Sequence, residues 1–181
     1  MSAAQTSSPD PLVQVVTDLD RHAAQGSWDS PPRVYALVPT RELLAREPGL
    51  AEREDLVTAA ATAPDSLAPV EQDDMPAAPT LEESLARIAW PAEVVGAAVV
   101  LERIVLPAGL EAAMPADEQE ALRWVATHPR REEVRLTVAV LRDGRRASAV
   151  RMRRHDEDAS VLRGPDLAPA LADHLAHTLT D

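Results

Sequence analysis

The chain has 181 residues, a formal net charge of −12 and no cysteine, and 45% of it is hydrophobic. That length suits one domain with a real core. The missing cysteines exclude disulfides, thiolate metal centres and thiol nucleophiles, and the acidic balance opposes general nucleic-acid binding. Lysine is absent, so all eighteen cations are arginine. With no Phe, one Tyr and three Trp, the core must come from Ala, Val and Leu. This bias matches a high-GC genome, so part of the composition reports the host.

Residues 1–9 are small and polar and read as a disordered lead. They carry neither a basic n-region nor an apolar h-region, so a signal peptide is not expected. The longest apolar run, Val94 to Leu101, falls far short of the roughly 20 residues a bilayer span needs. The expectation is a soluble cytoplasmic protein with no membrane partner. Asp10-Pro11 reads as an N-cap with proline at the first helical position. Leu12, Val15, Val16, Leu19 and Ala23 continue at helical spacing to a stop at Gly26. Residues 33–39 form a short strand between prolines, and Thr40 caps a brief helix through Leu44.

Residues 48–80 form an acidic, proline-rich connection. Within it 51–61 has helical character and 67–71 could be a strand; so long a connection inside a domain should carry some order. Thr80-Leu-Glu-Glu83 fits a capping box opening a helix over 81–89. Residues 94–106 are apolar on both parities, as in a central strand covered on both faces. Residues 116–127 read as a helix packing through Ala121, Leu122, Trp124 and Val125. Residues 166–179 read as a last helix, its Leu167, Leu171, Leu175 and Leu179 forming an i, i+4 stripe that docks on the sheet.

The most informative segment is the hairpin over 133–142 and 145–154. From Arg130 to Arg154 there are nine arginines and three acids, half the cations of the chain. Gly144 accepts φ > 0 at no steric cost, and Asp-Gly between alternating runs is a strong turn signal. A two-residue loop would place Arg151 beside Leu136. A three-residue Arg142-Asp143-Gly144 loop with a bulge at Gly144 instead groups Val134, Leu136 and Val138 with Val150 and Met152. Arg135, Thr137, Arg151 and Arg153 then share the other face. Because a one-residue slip exchanges faces, the apolar set selects the bulged turn.

Guanidinium groups on a rigid sheet can hold a carboxylate, a phosphate or an acidic peptide by bidentate bonds. The simpler account is a solvated face, or arginines paired internally with Glu102, Glu132, Glu133 or the acidic loop over 65–74. His155-Asp156-Glu157-Asp158 could hold a metal or act in acid–base chemistry, but consecutive loop residues seldom converge, and a surface turn is the simpler account. His174 and His177, three apart on the last helix, read as surface histidines. No nucleophile system, glycine-rich phosphate loop, catalytic set, metal centre or cofactor motif stands out.

The runs Leu101-Glu-Arg-Ile-Val-Leu-Pro107, Leu141-Arg-Asp-Gly-Arg145, Arg154-His-Asp156 and Gly164-Pro-Asp-Leu167 resemble a family of small uncharacterised actinobacterial proteins. So do Ala89-Trp-Pro91 and Val34-Tyr-Ala-Leu-Val38. The resemblance spans residues 10–179; it implies a host lineage and assigns no activity. The order helix, strands, helix, hairpin, helix is also similar to the fold of secretion chaperones, small acidic dimers that hold client peptides; no motif is shared, and fold does not fix function.

The expected fold is a single α+β domain over 10–181: a mostly antiparallel sheet of four to five strands with helices packed on it. The expected function is a non-catalytic interaction module, engaging an acidic protein partner, a client or a second copy of itself. The expected face carries Arg135, Arg151, Arg153, Arg154 and His155. The alternative is an enzyme or small-anion-binding protein using His155 and Asp156.

Overall fold

The computed structural model describes residues 9–76 and 78–180. The lead expected at 1–9 therefore lies, Pro9 apart, outside the described residues. In chain order the elements are α1 (Pro11–Ala24), β1 (Arg33–Pro39), α2 (Thr40–Arg46), α3 (Glu54–Thr62), β2 (Leu67–Glu71), α4 (Leu81–Leu85), β3 (Gly96–Val105), α5 (Glu118–Thr127), β4 (Glu132–Leu141), β5 (Arg146–Met152), β6 (Leu162–Gly164) and α6 (Pro169–Thr178). The fold is α+β. All six strands join one open antiparallel sheet in the order β2-β1-β3-β4-β5-β6. The sheet has one strand more than the sequence indicates, because three-residue β6 is too short to leave a period-2 signal.

α1 starts as its sequence dictates: the Asp10 carboxylate accepts the Leu12 N–H at 2.8 Å and proline occupies the first turn. Its stripe of Leu12, Val15, Val16, Leu19 and Ala23 packs on Tyr35, Leu37, Ala98, Val100, Ala139 and Ala149 on one side of the sheet. On the other side α4 and α6 close a second cluster, in which Leu85, Leu171, Leu175 and Leu179 meet Val34, Val99, Val138 and Val140. β3 is buried over its first six residues, as expected of a central strand, and runs out into solvent at Arg103–Val105, with Ile104 and Val105 about 40% exposed.

Several local expectations need correcting. Thr40 does not cap α2: Pro39 holds the cap position, and the Thr40 hydroxyl is buried without a partner. α5 buries none of its residues, and Leu122 is 66% exposed, so the helix expected to pack through Ala121, Leu122, Trp124 and Val125 lies at the rim of the sheet. α6 begins at Pro169, which leaves Leu167 in the preceding turn, resting over Gly164.

The hairpin register is the one its faces require. Val134 faces Met152, Leu136 faces Val150 and Arg135 faces Arg151, with Arg142-Asp143-Gly144 as the loop and Gly144 at φ +88°. The turn also pins the opposite end of the chain. Arg142 donates from Nε to Val94 O at 2.8 Å, from Nη2 to Trp90 O and from Nη1 to Leu179 O at the end of α6, where a cation suits the carbonyl end of the helix dipole.

Gly96 opens β3 close against Val140 and Leu141 of β4. A Cβ there would lie 2.6 Å from Val140 O and 2.5 Å from Leu141 Cδ2. Gly96→Ala is expected to destabilise the fold by about 1–3 kcal/mol through overpacking. A urea midpoint unchanged from wild type would contradict that close approach.

Candidate functional site

The bulged register places Arg135 and Arg151 side by side on the α1 side of the hairpin, where they are 2% and 1% exposed. Opposite them α1 presents Asp20, itself 0% exposed. Arg151 donates to Asp20 from Nε at 3.1 Å and from Nη2 at 2.7 Å, a bidentate pair. The same guanidinium reaches the loop after β5, donating to Asp158 Oδ1 at 2.6 Å and to Asp156 O at 3.0 Å. These bonds raise the pKa of Arg151, the Asp20 bond foremost, and hold the Asp158 carboxyl below its ordinary value.

Arg135 donates to Glu102 Oε1 at 2.9 Å, from the neighbouring strand β3. Its guanidinium lies 4.3 Å from the centroid of Trp28, and Arg153 lies 5.6 Å from the same ring, so both make cation–π contacts. Trp28 Nε1 donates to Asp156 Oδ2 at 2.9 Å, and the Asp29 carboxylate accepts from both Nη atoms of Arg153. Asp29 sits at φ +67°, a conformation aspartate tolerates better than most residues. Its N–H donates to Glu102 Oε2 at 2.6 Å. The segment after α1 is thus strapped across the arginine face by the Trp28 ring and the Asp29 carboxylate.

The five residues singled out from the sequence therefore separate. Arg135 and Arg151 form the buried part of an internal network. Arg153 lies at its solvent edge, bonded to Asp29 and Glu133. Arg154 points to the other side of the sheet and pairs with Glu132, with its own side chain 63% exposed. His155 is an exposed turn residue whose N–H donates to Met152 O at 3.0 Å. Within the His155–Asp158 run Asp156 and Asp158 converge on the Arg151 guanidinium, while His155 stands apart. His174 and His177 each place Nδ1 against a carbonyl one turn back in their own helix. Among the described residues no three His, Asp or Glu side chains are grouped to hold a metal, and no helix is long and apolar enough to cross a membrane.

Sequence reasoning missed Asp20, Trp28 and Asp29. For Asp20 a signal existed: position 20 is one turn beyond Val16 and next to Leu19, on the apolar stripe of α1. An acid on a buried stripe calls for a buried cation, and the arginine-bearing face of the hairpin held the available ones.

The opposite side of the hairpin is built differently. There the cross-strand row Leu101, Leu136, Val150, Leu162 runs toward the β6 edge. α6 lies over β4 and β3, so exposure grows along the row, from 3% at Leu101 to 50% at Leu162. Met152, Val105 and Leu167 extend this open apolar surface. Arg103 and Arg154 border it, and their side chains, 45% and 63% exposed, reach further into solvent than their partners Glu82 and Glu132 at 35% and 19%. An open groove of about 320 Å³ around the end of the hairpin is lined by Pro129, Arg131, Glu132, Glu133, Arg153 and Arg154, three arginines against two glutamates.

Neither the curated proteins nor the solved structures contain a match to the chain. A family model does match, over residues 12–180, nearly the whole described fold, and by that match the chain belongs to the PPA1309-like protein family.

Proposed function

We propose that the protein is a non-catalytic interaction module that binds an amphipathic, acidic protein segment on the open face of β5 and β6. The observation that supports this most directly is the uncovered row ending at Leu162, bordered by the outward tips of Arg103 and Arg154. Contiguous apolar surface rimmed by polar groups marks interaction sites in soluble proteins, and the exposed arginines select acidic flanks and repel basic ones. The binding face thus moves from the strapped side of the hairpin to its other side. Of the arginines singled out from the sequence, Arg154 reaches its border, while Arg153 is bonded to Asp29 and Glu133 on the strapped side and Arg135 and Arg151 serve the fold.

Two synthetic helical peptides of about 18 residues, long enough for a full apolar stripe, test this reading. They share one leucine face and carry either Glu or Lys elsewhere. The acidic peptide should bind at least about tenfold more tightly than its basic twin by fluorescence anisotropy. Leu162→Asp, at an exposed edge position, should abolish the binding, and Arg103→Glu with Arg154→Glu should reverse the preference. Equal binding of the two peptides, or binding indifferent to Leu162→Asp, defeats the proposal. Sedimentation equilibrium of the protein alone distinguishes the competing occupant: a dimer that Leu162→Asp dissociates would assign this face to a second copy of the chain.

A further inference from the structure

The two edges of the open sheet are not alike. At one edge Gln72 N–H donates to Val34 O and Thr40 N–H to Ser66 O, both at 2.9 Å. The even-numbered residues of β2 are therefore the ones bonded to β1, and Pro69 faces out of the sheet. Proline has no N–H to offer there, which blunts that edge. At the other edge Arg153 N–H donates to Glu133 O at 2.8 Å and Leu141 N–H to Arg145 O at 2.9 Å. Odd-numbered residues of β5 thus turn their backbone groups to β4, while Ser148 and Val150 turn theirs to Gly164 and Leu162. Arg163, between those two, points its own N–H and C=O away from β5 and out of the edge. Neither group bonds other backbone among the described residues.

The side chain of Arg163 is equally uncommitted. It lies opposite Ala149, hence on the α1 side, and is exposed. Among the described residues its guanidinium bonds only Val161 O, at 3.4 Å, and no carboxylate; at that length the bond is weak. Beside it a groove of about 280 Å³ is walled by Val13, Val16 and Thr17 of α1 and by Ala147 and Pro165. Arg163 and Arg146, which pairs with Asp173, are the charged residues of this lining, and no acid is among them.

We infer that β6 accepts an extended acidic segment of a partner protein as a seventh, antiparallel strand. One residue of that segment exchanges two backbone hydrogen bonds with Arg163. Being Asp or Glu, it sets its carboxylate against the guanidinium on the α1 side. Apolar residues two positions away share that face and enter the groove beside Pro165 and Val13, which is 44% exposed. A second copy of this chain fits poorly, because antiparallel pairing about Arg163 would set the two guanidiniums opposite each other. The edge works through Arg163 and its backbone, the open face through Leu162 on the α6 side, and either can fail alone.

Titration of the ¹⁵N-labelled full chain with the end-blocked peptide Thr-Val-Thr-Glu-Thr-Val-Thr tests this. Beside it stand a twin with Lys for Glu and a third peptide N-methylated at the Glu nitrogen. The Glu peptide should bind at least about fivefold more tightly than the Lys twin. N-methylation keeps every side chain but removes the N–H that pairs with Arg163 O, and should weaken binding at least about tenfold. Hydrogen exchange of the Arg163 amide should slow on binding, while the Leu162 and Gly164 amides, already bonded to β5, keep their rates. Arg163→Glu, an exposed substitution, should reverse the preference in favour of the Lys peptide. The helical peptides that test the open face keep their backbone groups bonded within the helix, so neither result decides the other. An N-methylated peptide that binds as tightly as its parent, equal binding of the Glu and Lys peptides, an Arg163 amide unprotected by peptide, or no shifts at millimolar peptide would overturn the inference. Protection of the Arg163 amide in a concentration-dependent dimer of the free chain would overturn it too, by giving the edge to a second copy.

Discussion

Arg151→Ala is expected to cost about 3–5 kcal/mol, because it strands the wholly buried Asp20 without a partner. Against a typical total stability of about 5–15 kcal/mol that is enough to unfold a sizeable fraction of the protein. The double replacement Asp20→Leu with Arg151→Met should recover most of the loss, since apolar pairs of similar volume often match a buried ion pair. Arg153→Ala should cost far less, because its partner Asp29 is largely solvated. The bond from Arg151 to Asp158 also sets an acid limit. Asp158 has a depressed pKa in the folded chain, so the unfolded chain takes up that proton first as pH falls. The stability it contributes is complete near neutrality and is lost below about pH 4. Urea midpoints measured from pH 7 down to pH 3 should fall more steeply for wild type than for the double variant. Equal midpoints for Arg151→Ala and wild type would mean that Asp20 is not buried.

Removal of residues 166–181 is expected to abolish cooperative folding. Leu171, Leu175 and Leu179 are at most 8% exposed and close the core on β3 and β4. At about 1.5–3 kcal/mol for each buried leucine their loss is about 5–9 kcal/mol, comparable with the whole margin of a small domain. The truncation also takes away the carbonyl that Arg142 caps and the Thr178 hydroxyl that accepts from Trp90 Nε1 at 2.8 Å. Leu175→Ala alone should cost about 2–5 kcal/mol, which separates loss of packing from loss of the helix. A sharp thermal transition near the wild-type midpoint after truncation would show that α6 is peripheral.

Much of the fold was legible because it rests on local rules. β1 and β2 run over 33–39 and 67–71 as their composition indicates. The hairpin turn follows from Asp143-Gly144 and the alternation on either side of it. What could not be read was which surface covers which. Arg135 and Arg151 carry the pattern of a solvated basic face, and only tertiary placement of α1 and Trp28 turns that face into interior. α5 shows the reverse: its apolar residues repeat like those of a packed helix, yet the end of β3 gives them little to pack on. Periodicity reports which residues share a face, not whether a neighbour arrives.

The ion pair between Asp20 and Arg151 joins residues 131 positions apart. On the ribosome α1 therefore emerges with its leucines, valines and buried-to-be carboxylate long before β4 and β5 exist to receive them. Until the hairpin forms, the helix is an exposed amphipathic segment with a charge on its sticky side. That acid weakens premature collapse onto the wrong surface, since only a cation in the right place makes its burial tolerable. Docking of α1 is then a late, long-range event of high contact order, and the same carboxylate that locks the finished fold protects the growing chain from misassembly on its way there.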